Sequence, residues 1–217
     1  MEAEPPRPGR RRAPGTRERV QQVALRLFTE QGYEATSMRS IAGELGINKA
    51  SLYHHFASKE AILQSLVDRR GDEVDALLEW LRAQPAGPGT VRAAVLRWVG
   101  SSTADKLRGI RFLAANPLLL DRSTSGPARV GTGLDELADA LAAQVPHRSD
   151  ESVVLLRMAL LSVNAAVQAA ARTTLDDAAV IGAATRSASS LVDLALQDHR
   201  RDRPGPDDDL EEAVPHP

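Results

Sequence analysis

Cysteine is absent from the 217 residues, which excludes disulfide bonds, thiolate zinc sites and cysteine nucleophiles together. Aromatic residues make up only 3% of the chain against 42% hydrophobic residues, and β-branched residues rarely alternate with polar ones. This balance favours an all-α fold. The arginines near the N-terminus are not followed by an apolar segment, so we expect no secretory signal.

Motifs of catalysis are also lacking after residue 65. There is no Ser-His-Asp order, no glycine-rich phosphate loop and no HExxH pattern. We therefore expect no enzyme activity, no catalytic residue and no cofactor. The pair His54-His55 raises the alternative of a metal site, but adjacent residues of a helix point about 100° apart. No nearby His completes a ligand set, so we expect no bound metal.

Charge is distributed unevenly along the chain. The net charge is −2, yet residues 1–65 carry 10 Lys+Arg against 7 Asp+Glu, and the remaining residues carry 17 against 22. A basic head on an acidic body is expected when one end of a protein meets phosphate. The arginines of the first 15 residues suit either contact with the DNA backbone or a solubilising tail, and the sequence leaves both open.

Composition divides the chain into four parts. Residues 1–15 and 199–217 are rich in proline and charge, and we expect both tails to be disordered. Residues 16–60 are predicted to form a three-helix, helix-turn-helix domain, and residues 61–198 a helical domain for ligand binding and dimerisation. A long flexible loop is predicted over 121–133 from its glycine and polar residues.

The most informative stretch is 36–60, TSMRSIAGELGINKASLYHHFASKE. Its apolar spacing predicts two short helices joined by a tight turn, the geometry that places a helix in the DNA major groove. Ala42 is small where two helix backbones cross closely. Gly46 lies where the first helix must end in a left-handed conformation, and the Asn48 side chain can cap the next helix.

Two long helices are predicted near the C-terminus, at 151–172 and about 176–197. The first resembles a membrane span by hydropathy, but Arg157, Asn164 and Gln168 interrupt it and its flanks lack anchoring residues. We therefore expect a buried helix and no membrane. Small Ala, Ser and Gly residues in both helices suit a four-helix interface with a second copy of the chain.

The N-terminal part of the chain resembles the TetR (tetracycline repressor-like) family of bacterial transcription regulators. The resemblance rests on the stretch RERVQQVALRLFTEQGY and on the later run of Leu52, Tyr53, His55, Phe56, Ser58, Lys59 and Glu60. The likeness covers about residues 16–65. It implies a cytoplasmic homodimer that binds double-stranded DNA, a helical ligand pocket, and repression relieved by a small-molecule effector.

Two sources indicate the DNA-binding residues. The spacing of apolar residues places Asn48, Lys49, Tyr53, and His54 or His55 on the exposed face of the second short helix. It also places Thr36 and Ser37 at a helix N-terminus, which can hold phosphate. The resemblance implies that Lys49 and Ala50 approach bases and that Tyr53, His55 and Lys59 grip phosphates. It also matches Arg39 to a position that reads guanine in some relatives, a task that suits a bidentate donor.

An effector cavity should be mostly apolar with a few polar residues to orient its guest. The candidates are Trp98, Phe112, Asn116, Met158, Asn164 and Gln168. Trp98, Phe112 and Met158 could equally be ordinary residues of the hydrophobic core. Asn164 and Gln168 could contact either a ligand or a second subunit at a dimer interface. The function predicted is a ligand-responsive, homodimeric repressor released from a palindromic operator; an architectural DNA-binding protein or an activator with the same head are the alternatives.

Overall fold

The computed structural model describes residues 15–121, 126–146 and 148–197, and within them every regular element is helical. The tails predicted at 1–15 and 199–217 lie outside the described residues, apart from Gly15. Helices follow in the order α1 (Thr16–Gln31), α2 (Met38–Leu45), α3 (Lys49–His55), α4 (Lys59–Arg82), α5 (Pro88–Gly100), α6 (Ala104–Ala115), α7 (Pro117–Asp121), α8 (Gly126–Ala142), α9 (Asp150–Ala169) and α10 (Asp177–Leu196). The predicted all-α fold is confirmed.

The chain forms two compact units. The first runs to Asp75 and includes Thr103–Gly133; the second comprises Ala76–Ser102 and the chain from Leu134 onward. Helix α4 is continuous from one unit into the other, without interruption at Gly71. The predicted boundary between residues 60 and 61 falls in the first turn of this helix.

The core of the first unit is built mainly from α1, α2, α3 and the start of α4. Val20, Ile41, Leu52 and Ile62 are fully buried within it. Helix α6 adds Phe112, whose ring centroid lies 5.8 Å from that of Phe28. The apolar stripe of α1 therefore packs against both the helix-turn-helix segment and α6.

The second unit is dominated by the pair α9 and α10, with α5 packed on both. Val163 and Val167 on α9 are buried, as are Ala184 and Ala188 on α10. The small alanines allow the two backbones to approach closely, as the sequence predicts. The Trp98 indole on α5 donates a hydrogen bond to the Leu160 carbonyl oxygen at 2.9 Å, which satisfies its buried N–H.

The prediction of a loop over 121–133 is wrong where the structure describes it, because α8 begins at Gly126. Tertiary packing outweighs the poor helix propensity of the glycines here. Gly133 fits against α4, since a Cβ atom there would lie 3.0 Å from Val74 Cγ1. Arg129 pairs with Asp72 at 2.8 Å and also with Asp75, both on α4.

Two helical segments, 150–172 and 177–196, are long and apolar enough to cross a membrane by length and composition alone. The core helix of a protein in water meets the same test. Each has one face packed within the second unit, where Leu156 and Val192 are fully buried. The sequence predicts burial on several sides for the first of them, whereas 33% of its most apolar window is buried within the described residues.

Candidate nucleic-acid interface

Helix α2 begins and ends at residues that suit its termini. Ser37 is its N-cap, and the hydroxyl oxygen accepts a hydrogen bond from the Ser40 amide at 3.1 Å. Gly46 ends the helix with φ 67°, in the left-handed region, and its N–H donates to the Gly43 carbonyl oxygen at 3.1 Å. The sequence prediction of a glycine stop at this position is confirmed.

Helix α3 follows after one turn and has only seven residues. Its N-cap is Asn48, whose Oδ1 accepts a hydrogen bond from the Ser51 amide at 2.7 Å, as predicted. Leu52 is fully buried and anchors the helix to the core of the first unit. The opposite face is exposed and bears Asn48, Lys49, Ala50, Ser51, Tyr53 and His54.

That exposed face combines the donors that a DNA contact needs. The Lys49 ammonium lies 5.4 Å from the centroid of the Tyr53 ring, so a cation and a phenol sit side by side. His55 is half-buried, and its ring centroid is 5.5 Å from that of His54. Among the described residues, no group of three or more His, Cys, Asp or Glu side chains could hold a metal ion.

Helix α2 contributes a second exposed edge. Ser37 and Arg39 are exposed near its N-terminus, and the Arg39 guanidinium makes no hydrogen bond or ion pair within the described residues. Thr36 differs from its prediction, because its side chain is only 2% exposed and its hydroxyl donates to the Gly32 carbonyl oxygen at 2.9 Å. The Thr36 hydroxyl therefore closes the connection from α1, which corrects the phosphate contact expected of it.

Lys59 also has a structural role that the sequence did not indicate. Its ammonium donates to the Tyr33 carbonyl oxygen at 2.9 Å, pairs with Glu34 at 3.2 Å, and lies 4.3 Å from the centroid of the Tyr33 ring. With 18% of the side chain exposed, the cation is held against the α1–α2 connection. The expectation that a phosphate explains Lys59 better than a structural contact is corrected accordingly.

Two arginines of α1 hold the helix-turn-helix segment in place, and sequence reasoning missed both contacts. Arg26 forms ion pairs with Glu44 on α2 and with Glu30 on its own helix, the latter at 3.4 Å. Arg17 donates from Nη1 to the His55 carbonyl oxygen at 3.1 Å. No local sequence signal could have indicated them, since the partners lie 18 and 38 residues away.

Near the start of α4, Glu60 is held in its charged form. A hydrogen bond from the Ser58 side chain is the main cause that lowers the pKa of this carboxyl, with a backbone N–H and the Tyr33 hydroxyl adding to it. The Tyr33 hydroxyl donates to Glu60 Oε1 at 3.2 Å. Tyr33 thus joins Lys59 and Glu60 in one cluster beneath the helix-turn-helix segment.

The residues predicted to line an effector cavity are divided between the two units. Phe112 belongs to the core of the first unit, stacked on Phe28, and Trp98 belongs to the core of the second. Asn116 is half-buried, donates to the Phe112 carbonyl oxygen at 2.8 Å, and borders an open groove of about 590 Å³ formed by residues 31–35 and 115–119. Both aromatic side chains pack within a core, which is one of the two interpretations that the sequence leaves open for them.

The other three candidates lie on the outside of α9. Met158 is 50% exposed, and Asn164 and Gln168 are exposed as well. They face away from α10 and α5, so they do not line an interior cavity of the second unit. Exposure of Asn164 and Gln168 on α9 is compatible with a dimer seam, and a ligand contact at these residues stays a prediction.

Together, a glycine turn, a capped seven-residue helix with an exposed polar face, and an all-helical second unit define a helix-turn-helix protein. Residues 22–66 match the family described as bacterial regulatory proteins, tetR family. This segment is therefore a helix-turn-helix domain of the TetR type, as its sequence motifs predict.

Relatives with detectable similarity match only a short stretch of this chain. An uncharacterized HTH-type transcriptional regulator of Bacillus subtilis, YerO, is 47% identical over 49 residues, 23% of this chain and 17% of that protein. The HTH-type transcriptional repressor KstR2 of Mycobacterium tuberculosis is 44% identical over 63 residues, 29% of this chain and 28% of that protein. The chain thus spans less than a third of either relative.

The fold as a whole resembles solved structures. A transcriptional regulator from Rhodococcus sp. Rha1 superposes with a TM-score of 0.58 over 84% of this chain and 96% of that one, at 17% identity. This likeness extends through both units and concerns the fold alone.

Proposed function

We propose that this protein is a homodimeric transcriptional repressor that binds a palindromic operator and is released from it by a small molecule. The observation that carries the proposal is the exposed face of α3, where Lys49, Ala50, Tyr53 and His54 project from a helix capped at its start and anchored by Leu52. Such a face supplies donors for base edges and for phosphates. Ser37 and Arg39 on α2 extend it.

The outer face of α9 supports the dimer. Val154, Met158 and Leu161 are 52%, 50% and 45% exposed, at i, i+4 and i+7 on one face of the helix. A contiguous apolar face of this kind is typical of an interface. A twofold partner would bury it and duplicate α3, and two such helices read adjacent major grooves when they lie about 34–36 Å apart.

Helix α4 supports a route for the effector's signal. Its buried residues include Ile62, in the core of the first unit, and Leu77 and Leu81 in the second. A ligand that displaces the C-terminal half of α4, which bears Leu77 and Leu81, would change the distance between the α3 helices of the two subunits. Such a ligand must bind the DNA-incompetent state more tightly, because equal affinity for both states shifts nothing. A regulator that works in this way acts in the cytoplasm, where operator and effector are both present.

Selection of bound duplexes from a random pool tests the proposal. We expect the wild-type protein to enrich a site with twofold symmetry and half-sites about one helical turn apart. Lys49→Ala should weaken binding to that site. If the protein retained duplexes of every sequence equally, with an affinity that falls steeply with salt, its binding would be sequence-independent and the proposed repressor function would be overturned. A monomeric protein that retained no duplex at modest ionic strength would refute DNA binding itself.

The effector route has its own measurement. Compounds that release the selected duplex are identified first, and operator affinity is then measured with and without them for Leu77→Ala and Leu81→Ala. Weaker release by these variants would support α4 as the transmitter. Release identical to that of the wild type would count against it.

A further inference from the structure

Arg17 makes two contacts at the C-terminal end of α3. Its Nη1 donates to the His55 carbonyl oxygen at 3.1 Å, and its guanidinium carbon lies 4.3 Å from the centroid of the Phe56 ring. His55 is the last residue of α3 and Phe56 is the C-cap. The side chain thus reaches from the first turn of α1, 38 residues away in sequence, to the end of the helix that bears the exposed polar face.

The position of this contact matters because α3 is short. A helix leaves its last four carbonyl groups without a partner inside the helix, and in α3 these belong to residues 53–56, the C-cap included. The last turn of α3 contains Tyr53 and His54, two residues of the exposed face. A helix of this length has little stability of its own, so its direction depends on its anchors.

The known anchors act at the start and the middle of α3. Asn48 caps the first turn and Leu52 packs into the core. At the far end, the Phe56 amide donates to the Leu52 carbonyl oxygen at 3.0 Å, and Phe56 is buried. Arg17 adds a cation at the negative end of the helix dipole and a hydrogen bond to the His55 carbonyl.

We infer that Arg17 is a positioning residue for DNA binding, which fixes the last turn of α3 through His55 and Phe56 without touching the DNA. This inference rests on the proposed function. An exposed arginine in a basic head suggests a phosphate contact as the alternative. The two roles differ in their salt dependence, because only a lost phosphate contact reduces the number of counterions released on binding.

The experiment uses the full chain and the duplex selected with the wild-type protein. Arg17→Ala removes both contacts, and Arg17→Lys keeps a charged donor but not the planar group. Arg19→Ala is the matched control, because Arg19 is exposed on the same turn and its side chain has no partner among the described residues. Affinity is measured over a range of salt concentrations, at temperatures where circular dichroism shows every variant folded. Amide exchange at His55 and Phe56 is measured in the free proteins.

We expect Arg17→Ala to weaken binding about tenfold, with Arg17→Lys recovering part of the loss and Arg19→Ala within about twofold of wild type. The slope of log affinity against log salt should not change, and exchange at Phe56 should accelerate in Arg17→Ala alone. A slope smaller in magnitude by about 1.8, for two lost phosphate contacts per dimer, would overturn positioning. Duplex affinity and Phe56 amide exchange at the wild-type level in Arg17→Ala would also overturn the positioning role. Failure of the wild type to bind any duplex overturns the proposed function as well.

Discussion

The ammonium of Lys59 donates a hydrogen bond to the carbonyl oxygen of Tyr33 and lies over the ring of the same residue. One cation therefore ties the first turn of α4 to the connection between α1 and α2. Lys49, by contrast, is exposed on α3. The two lysines of the helix-turn-helix region thus have opposite surroundings.

This contrast predicts opposite effects of their replacement. Lys59→Ala should lower the free energy of unfolding by about 1 kcal/mol, because it removes a hydrogen bond and a cation–π contact. Lys49→Ala should leave stability within about 0.5 kcal/mol and weaken operator binding about tenfold or more. Urea unfolding and fluorescence anisotropy with the selected duplex measure the two quantities. Equal loss of stability in both variants would contradict the assignment of Lys59.

Gly46 and Gly43 form a second matched pair. Gly46 has φ 67°, whereas Gly43 lies within α2 and is exposed, and a Cβ atom at either position would meet nothing within 4 Å. Gly46→Ala should therefore destabilise the protein by about 1–2 kcal/mol through backbone strain. Gly43→Ala should stabilise it by about 0.5–1 kcal/mol through helix propensity. Chemical denaturation measures the free energy of unfolding of both variants. A change of the same sign in the two variants would contradict the left-handed turn at Gly46.

The outer face of α9 predicts the behaviour of charged substitutions. Met158→Glu or Leu161→Glu would place carboxylates in the proposed twofold interface, at a cost on the order of several kcal/mol for desolvation. We expect monomers where the wild type is a dimer, measured by sedimentation velocity. Ala93→Glu is the control, since Ala93 is exposed on α5. Dimers that persist in both α9 variants would place the interface elsewhere.

Glu60 predicts a component of acid stability. The pKa of its carboxyl is lowered in the folded protein, chiefly by the Ser58 side chain, from an ordinary value of 4.5. Its contribution to stability is therefore present above about pH 4.5 and is lost as the pH falls through the lower, folded pKa. Glu60→Gln should flatten the decline of the unfolding free energy below pH 4.5. Identical acid profiles for wild type and Glu60→Gln would contradict this.

Local signals predicted the helix-turn-helix segment well. Gly46 and Asn48 act through backbone conformation and capping, which depend on residues only three or four positions away. The same local rules gave a loop over 121–133, where contacts of Arg129 and Gly133 with α4 favour helix α8 instead. Propensity alone does not include such contacts.

Side-chain roles were harder to predict than helices. Thr36 and Lys59 have the chemistry of phosphate ligands, yet each donates to a carbonyl oxygen of the α1–α2 connection. The effector residues were chosen by residue type, and type does not reveal that Phe112 stacks on Phe28 while Met158 is exposed. Arg17 was not indicated at all, because its contacts depend on how α1 crosses the end of α3.

The stacking of Phe112 on Phe28 has a consequence for protein engineering. Tyr33 also lies near Phe112, with ring centroids 6.4 Å apart, so the aromatic cluster draws on two distant stretches of sequence. A chimera that transplanted residues 16–60 without α6 would separate the rings of Phe28 and Tyr33 from that of Phe112. A regulator with exchanged specificity would therefore keep these ring contacts if helix α6 were transplanted along with the donor's first three helices.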